Sequence, residues 1–304
     1  MLSFDSGKAI AVVCGGEYDD KTIYIKNEED EPDRNLEDED VYDILDDDDF
    51  IMNKKYKKYT VRDRNKITKA IKQGIEPLDE YLIEQYDHLR QKVNDRLKKE
   101  LELSCGTMIP LPDEKSERVY VAGKAGSGKS RWASIYAQEF HKMFPKKKIY
   151  IFTKHESEKA YHNVPHIEIT HDNEILQSPI DIVKLSKSLV IFDDCDYVQD
   201  KFVEKNLRNL NDDLITAGRK YDIYVLTLQH QLMAYKQTRN ILNEANKVIF
   251  FNNSTKYHIT RYLKTYIGLD PNMIKKINAL KSRWTMLCLE TPSYVLHEHG
   301  IFII

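Results

Sequence analysis

The chain has 304 residues, with 46 Lys and Arg against 49 Asp and Glu for a formal net charge of −3, and a mean hydropathy of −0.58. Apolar residues make up 41%, enough for a core, but no apolar run approaches the roughly 20 residues of a membrane span, which excludes an integral membrane protein. The N-terminus lacks a basic start followed by a long apolar stretch, and Cys14, Cys105, Cys195 and Cys288 form no CxxC pair, which argues against a secretion signal, a zinc site and a disulfide framework and for a reducing compartment.

The near-zero total hides an uneven distribution. Residues 28–50 hold fourteen acids and one base, a net of −13, so the rest of the chain carries +10. Residues 8–14 (KAIAVVC) and 22–26 (TIYIK) read as two short strands joined by a turn, a hairpin region over 1–27. An acidic linker over 28–52 follows; like-charge repulsion and few large apolar side chains predict disorder. The next segment, 53–107, reverses the sign, with nine bases and one acid over 53–72. It then places Leu78, Leu82, Tyr86, Leu89, Val93 and Leu97 at three- and four-residue spacings, which predicts an amphipathic helix from Pro77 to about Leu103.

From 108 to 304 short apolar runs alternate with helical patterns: 118–123, 148–153, 188–194, 222–229 and 247–251. Runs apolar throughout are what strands buried on both faces require. With helices between them they predict an α/β fold with a mostly parallel sheet. Two shorter strands, 284–290 and 293–299, close the sheet antiparallel.

Residues 123–130 read Gly-Lys-Ala-Gly-Ser-Gly-Lys-Ser, the G-x-x-x-x-G-K-[ST] loop, between an apolar strand and a helical pattern. Gly123, Gly126 and Gly128 let the loop curl so that its amides face a polyphosphate, and the helix adds its positive N-terminal end. The nucleotide-binding candidates are Gly123, Lys124, Ala125, Gly126, Ser127, Gly128, Lys129, Ser130 and Arg131, with ATP as ligand. Lys129 reaches the β- and γ-phosphates, and Ser130 offers a hydroxyl to Mg²⁺. The run 188–194 ends in Asp193 and Asp194; a strand of this kind lies beside the phosphate loop. Asp193 is the second Mg²⁺ candidate and Asp194 the group that orients or deprotonates the attacking water. Asp196 leaves a shifted assignment open. Gln229, at the tip of the 222–229 strand, is a γ-phosphate or water contact, with Thr227 as its competitor. Arg219, Arg239 and Arg208 are the candidates for neutralising charge on the γ-phosphate.

The loop, the acidic strand end, and Gly218-Arg219-Lys220-Tyr221 leading into a strand that ends in Gln229 resemble the poxvirus-type genome-packaging ATPases of nucleocytoplasmic large DNA viruses and virophages, within the FtsK/HerA superfamily. The resemblance spans about 108–300. It implies a RecA-like P-loop core, a homo-oligomeric ring with an arginine supplied between subunits, and ATP-driven movement of double-stranded DNA into a preformed capsid. It also implies capsid, portal-vertex and nuclease partners and a setting in the host cytoplasm, a viral factory or the virion. Residues 200–283 carry a net +8, with Lys256, Arg261, Lys264, Lys275, Lys276, Lys281 and Arg283 in the second half, compatible with a surface that contacts DNA phosphates. Lys54–Lys58 with Tyr56 and Tyr59 is a second such candidate. The acidic block is then either a solubilising linker or a polyanion that competes with DNA. A small-molecule kinase and a nucleotide-gated switch are the alternatives for the same loop.

Overall fold

The computed structural model describes residues 1–26, 45, 50, 59–154, 159–195, 198–233, 238–251 and 256–304. Every acid of the 28–50 block, the Lys54–Lys58 cluster and Asp196 lie outside the described residues, as do the side chains of Lys159 and Arg239. The chain divides into two compact units, Met1–Ala9 with Lys21–Glu102, and Ile10–Asp20 with Leu103–Ile304.

In the first unit β1 (Leu2–Ser3) precedes the two expected strands, β2 (Lys8–Cys14), which runs on into the second unit, and β3 (Thr22–Ile25). β1 pairs antiparallel with β3, Leu2 opposite Ile25. Helix α1 (Val61–Gln73) starts at a capping box: the Thr60 hydroxyl accepts from the Asp63 amide at 3.2 Å, and the Asp63 carboxylate accepts from the Thr60 amide at 3.1 Å. It stops at Gly74, whose φ of 64° ends the helix in a left-handed turn. The amphipathic pattern forms α2 (Glu80–Lys99), which buries Leu82, Tyr86, Leu89, Val93 and Leu97 against Ile67, Ala70 and Ile71 of α1. Leu78 was expected on that stripe and is instead fully exposed, because it precedes the N-cap Asp79. The C-terminal end of the expected helix becomes β4 (Glu100–Glu102).

In the second unit β5 (Thr107–Pro110) pairs antiparallel with β2, Val12 opposite Ile109. The remaining elements are β6 (Arg118–Ala122), α3 (Lys129–Met143), β7 (Lys148–Thr153), β8 (Ile167–Thr170), β9 (Ser188–Phe192), α4 (Lys201–Ala217), β10 (Ile223–Gln229), α5 (Arg239–Glu244), β11 (Lys247–Phe251), α6 (Lys256–Tyr262), α7 (Pro271–Ala279), β12 (Trp284–Cys288), β13 (Tyr294–His297) and β14 (Gly300–Ile303). Nine strands of this unit run in the order β14-β13-β12-β11-β6-β10-β9-β7-β8. β11, β6, β10, β9, β7 and β8 are mutually parallel. β12 and β13 close the edge antiparallel as expected, and β14 extends it. Successive residues of a strand face opposite sides. Tyr224 of β10 meets the Phe140 ring of α3, centroids 4.9 Å apart, whereas Val225 joins Leu207, Leu210 and Leu214 of α4 in one core cluster. The sheet is therefore covered on both faces, which explains the continuous apolar runs.

In the sheet β10 lies between β6, which leads into the phosphate loop, and β9, which ends in the acid pair, and the acid-pair end of β9 still lies beside the loop, Asp194 lining one cleft with Gly126, Lys129 and Ser130. Strand order is set by where the crossover through α4 returns the chain, which no local pattern encodes. The parallel registers, Gln229 opposite Ala122 and Thr227 opposite Phe192, bring the carboxyl ends of β6, β10 and β9 to one edge of the sheet.

Candidate functional site

The loop after β6 closes onto its neighbours through its backbone. The Gly123 amide donates to the Gln229 carbonyl at 3.0 Å, and the Ser127 amide to the Lys124 carbonyl at 3.1 Å. Gly123 is required by space: a Cβ there would stand 2.6 Å from the Ser127 hydroxyl oxygen and 2.9 Å from the Phe251 ring. Gly128 is required by conformation, with φ 104°. Lys129, the first residue of α3, is 6% exposed, and its ammonium donates to the Gly123 and Lys124 carbonyls at 2.9 and 3.4 Å. The cation thus lies inside the curl of the loop. A cleft of about 330 Å³ opens beside it, lined by Ala125, Gly126, Gly128, Lys129, Ser130, Arg131, Asp194 and His230. Arg131 is exposed at this cleft.

Asp193 directly follows β9 and is fully buried. Its Oδ2 accepts from the Tyr161 hydroxyl at 2.9 Å. Ser130 stands close enough to this carboxylate to lower its pKa. Its Oδ1 is buried with no hydrogen-bond partner. A buried acceptor without a donor is costly and calls for an explanation. Hard oxygen donors of this kind, a carboxylate beside a loop hydroxyl, suit Mg²⁺. Burial pushes the Asp193 carboxyl above the usual carboxylate range; Ser130 and the hydrogen bond from Tyr161 oppose the shift, Asp194 adds to it, and Lys129 opposes it. A divalent cation would reverse that penalty.

Asp194 adopts φ 53°, a left-handed conformation uncommon for a residue with a Cβ. This turn brings Asp194 into the loop cleft, where its Oδ1 lies 3.8 Å from His230 Nε2. Gln229 ends β10, and its side-chain carbonyl accepts from the Tyr120 hydroxyl at 3.2 Å. Thr227, the alternative, donates to Asn211 of α4 at 2.9 Å. Both line a second, smaller cleft of about 180 Å³ with Cys195 and Arg208. Arg208 is ion-paired to Glu204 one turn earlier on α4.

The arginines do not all converge. Arg219 is exposed in the 3₁₀ turn Gly218–Tyr221, just before β10 starts. It lies near Arg118, whose guanidinium it disfavours, so it sits at the end of the sheet opposite the phosphate loop. Arg239 opens α5. Among the basic residues of the second half, Lys256, Lys264 and Lys275 border one groove, and Lys276 lies 4.0 Å from the Phe302 ring centroid. Arg283 donates to Glu298 at 2.7 Å and so carries a local counter-charge. Three residues at the site, His230, Tyr161 and Tyr120, lie outside the sequence motifs. His230 could have been found by extending the strand-end rule one residue past Gln229; Tyr161 and Tyr120 reach the site only through the tertiary fold.

The parallel sheet covered by helices, with the glycine loop at the carboxyl end of β6 and the acid pair after β9, is a P-loop NTPase fold of the RecA-like type. No protein-family model matches the chain. Over 210 residues it is 35% identical to the uncharacterised protein V3 of Sputnik virophage, covering 68% of this chain and 85% of that one. The chain belongs to the family of that virophage protein, and a virophage relative agrees with the group named by the motif resemblance. Among solved structures it is similar to the genome-packaging NTPase B204 of Sulfolobus turreted icosahedral virus 2 in complex with sulfate, at 15% identity and a TM-score of 0.42, over 62% of this chain and 96% of that one. It is similar as well to the pCW3 conjugation coupling protein TcpA, also at 15% identity and a TM-score of 0.42, over 66% of each chain. Among the described residues no helix is long and apolar enough to cross a membrane.

Proposed function

We propose that the chain is an ATPase whose turnover drives double-stranded DNA, in the sense of packaging a viral genome into a capsid. The observation that carries the hydrolytic part is the buried, unpartnered Oδ1 of Asp193, next to Asp194 in the cleft of the glycine loop. Mg²⁺ held by Ser130 and Asp193 would neutralise charge on the phosphates. The loop amides and the Lys129 ammonium bind the phosphates, the ammonium turning to them from the Gly123 and Lys124 carbonyls. Asp194, displaced from the strand line by its left-handed turn, orients a water at the γ-phosphate and accepts its proton. Gln229, tied to the loop through the Gly123 amide, is the polar group through which phosphate loss would reach β10.

The DNA-directed part rests on the motif set and on the basic surface of α6 and α7. In this reading the motor is a ring, and Arg219 or Arg239 completes the site of a neighbouring copy. Arg219 fits that role by lying at the far end of the sheet from its own loop. Capsid or portal-vertex and nuclease partners, and a host-cytoplasm or viral-factory setting, belong to the same proposal. ATP hydrolysis measured with and without long double-stranded DNA tests it. Stimulation by DNA is expected. Phosphorylation of a small metabolite would replace the motor with a kinase, and nucleotide binding without turnover would replace it with a switch.

A further inference from the structure

Tyr161 anchors one oxygen of the Asp193 carboxylate. The other oxygen is buried and unpartnered. Tyr161 ends the 3₁₀ turn Lys159–Tyr161 in the crossover between β7 and β8, and that turn packs against α3, the helix that begins with Lys129. Its side chain is fully buried and stands beside the His166 ring. The Val164 amide donates to the Tyr161 carbonyl at 2.9 Å, so the backbone behind the ring is also fixed. A carboxylate after a strand end can rotate about its terminal torsion, which is broad for aspartate. A buried phenol on a fixed backbone removes that freedom by holding one oxygen in place.

We propose that Tyr161 is a positioning residue for the metal group of this site: its hydroxyl holds Asp193 so that Oδ1 faces the cation. The proposal rests on the assignment of Asp193 as a metal-binding carboxylate. Partners in this second layer fix the orientation of a ligand, and removing them weakens metal binding by about 10–100-fold. The competing explanation is that a buried tyrosine simply needs an acceptor for its hydroxyl. That explanation moves stability and leaves metal affinity alone.

The test uses the full chain, with Mn²⁺ as the probe and a non-hydrolysable ATP analogue bound. Free Mn²⁺ is followed by electron paramagnetic resonance. Nucleotide affinity in EDTA and the melting temperature are read alongside. Four proteins are compared: wild type, Tyr161→Phe, Asp193→Asn, and Tyr262→Phe as a control that loses a buried hydroxyl with no hydrogen-bond partner. The expected result is Mn²⁺ binding about 10-fold weaker in Tyr161→Phe. Metal-free nucleotide affinity should stay within about twofold, Tyr262→Phe should match wild type, and Asp193→Asn should lose the site. Mn²⁺ affinity within twofold of wild type in Tyr161→Phe, while Asp193→Asn loses it, would overturn the role of Tyr161 alone. Unchanged Mn²⁺ binding in Asp193→Asn would overturn the assignment of Asp193 and this inference with it.

Discussion

Gly123→Ala gives the most direct test of how the loop is built, because the obstacle to a side chain there is steric and can be named. The added Cβ would stand 2.6 Å from the Ser127 hydroxyl oxygen, 2.9 Å from Phe251 Cδ2 and 3.3 Å from Phe251 Cβ. Ser127 can rotate away. Phe251 cannot, being 3% exposed at the end of β11. Overpacking of this kind costs about 1–3 kcal/mol, a fall in melting temperature of roughly 2–12 °C for a unit of this size. Movement of the loop should also weaken nucleotide binding, by about tenfold for each 1.4 kcal/mol that falls on the bound form. Phe251→Leu removes the ring and should relieve the clash, so the two substitutions together should cost less than their sum by more than about 0.5 kcal/mol. Gly126→Ala is the control. It meets no atom within 4 Å, and its φ of 73° makes its cost a matter of backbone conformation. Phe251→Leu should not relieve it. Melting curves and titration with a fluorescent ATP analogue measure both quantities. Strict additivity of Gly123→Ala and Phe251→Leu would refute the steric account of the loop.

Asp193→Asn should separate stability from function. Burial holds the folded carboxyl above its usual range. Its contribution to stability is therefore full below about pH 4, the unfolded value, and is lost as pH rises through the raised folded value. Without metal or nucleotide the Asn variant should melt higher than wild type at pH 7, with the gain vanishing near pH 4; a lower melting temperature at pH 7 would contradict this. Asp194→Asn should fold normally, because Asn tolerates the left-handed backbone. It should keep ATP bound while turnover falls by about 100-fold or more; normal turnover would remove Asp194 from its role. Arg219→Ala or Arg239→Ala, each inactive alone and each mixed with inactive Lys129→Ala protein, should show which arginine acts between copies, since activity returns only where an intact arginine faces an intact loop. If neither mixture recovers activity, neither arginine acts in trans.

The phosphate loop was legible because its signal is local: eight consecutive residues between an apolar run and a helical pattern. The parallel strands were legible for a related reason, since burial on both faces removes polar alternation. Apolar spacing carries the helix back to Leu78, because spacing alone does not reveal that Asp79 caps it. The place of β10 between β6 and β9 could not be read, because hydrogen-bonded neighbours in a sheet are chosen by crossover packing. That order places the β10 tip, with Gln229 and His230, between the loop and the acid pair. Tyr161 was invisible for the same kind of reason, as it reaches Asp193 across 32 positions of sequence. The arginines were the least legible, because a finger proposed to serve another copy would leave no mark in the contacts of a single chain.

The central claim is that ATP turnover moves this protein along double-stranded DNA. A triplex-displacement assay tests it most directly, because a third strand annealed to a long duplex is stripped off only by a motor travelling along it. The account predicts release that requires ATP and Mg²⁺, and that is lost in Lys129→Ala and Asp194→Asn. Sustained ATP hydrolysis with the third strand left in place would contradict it.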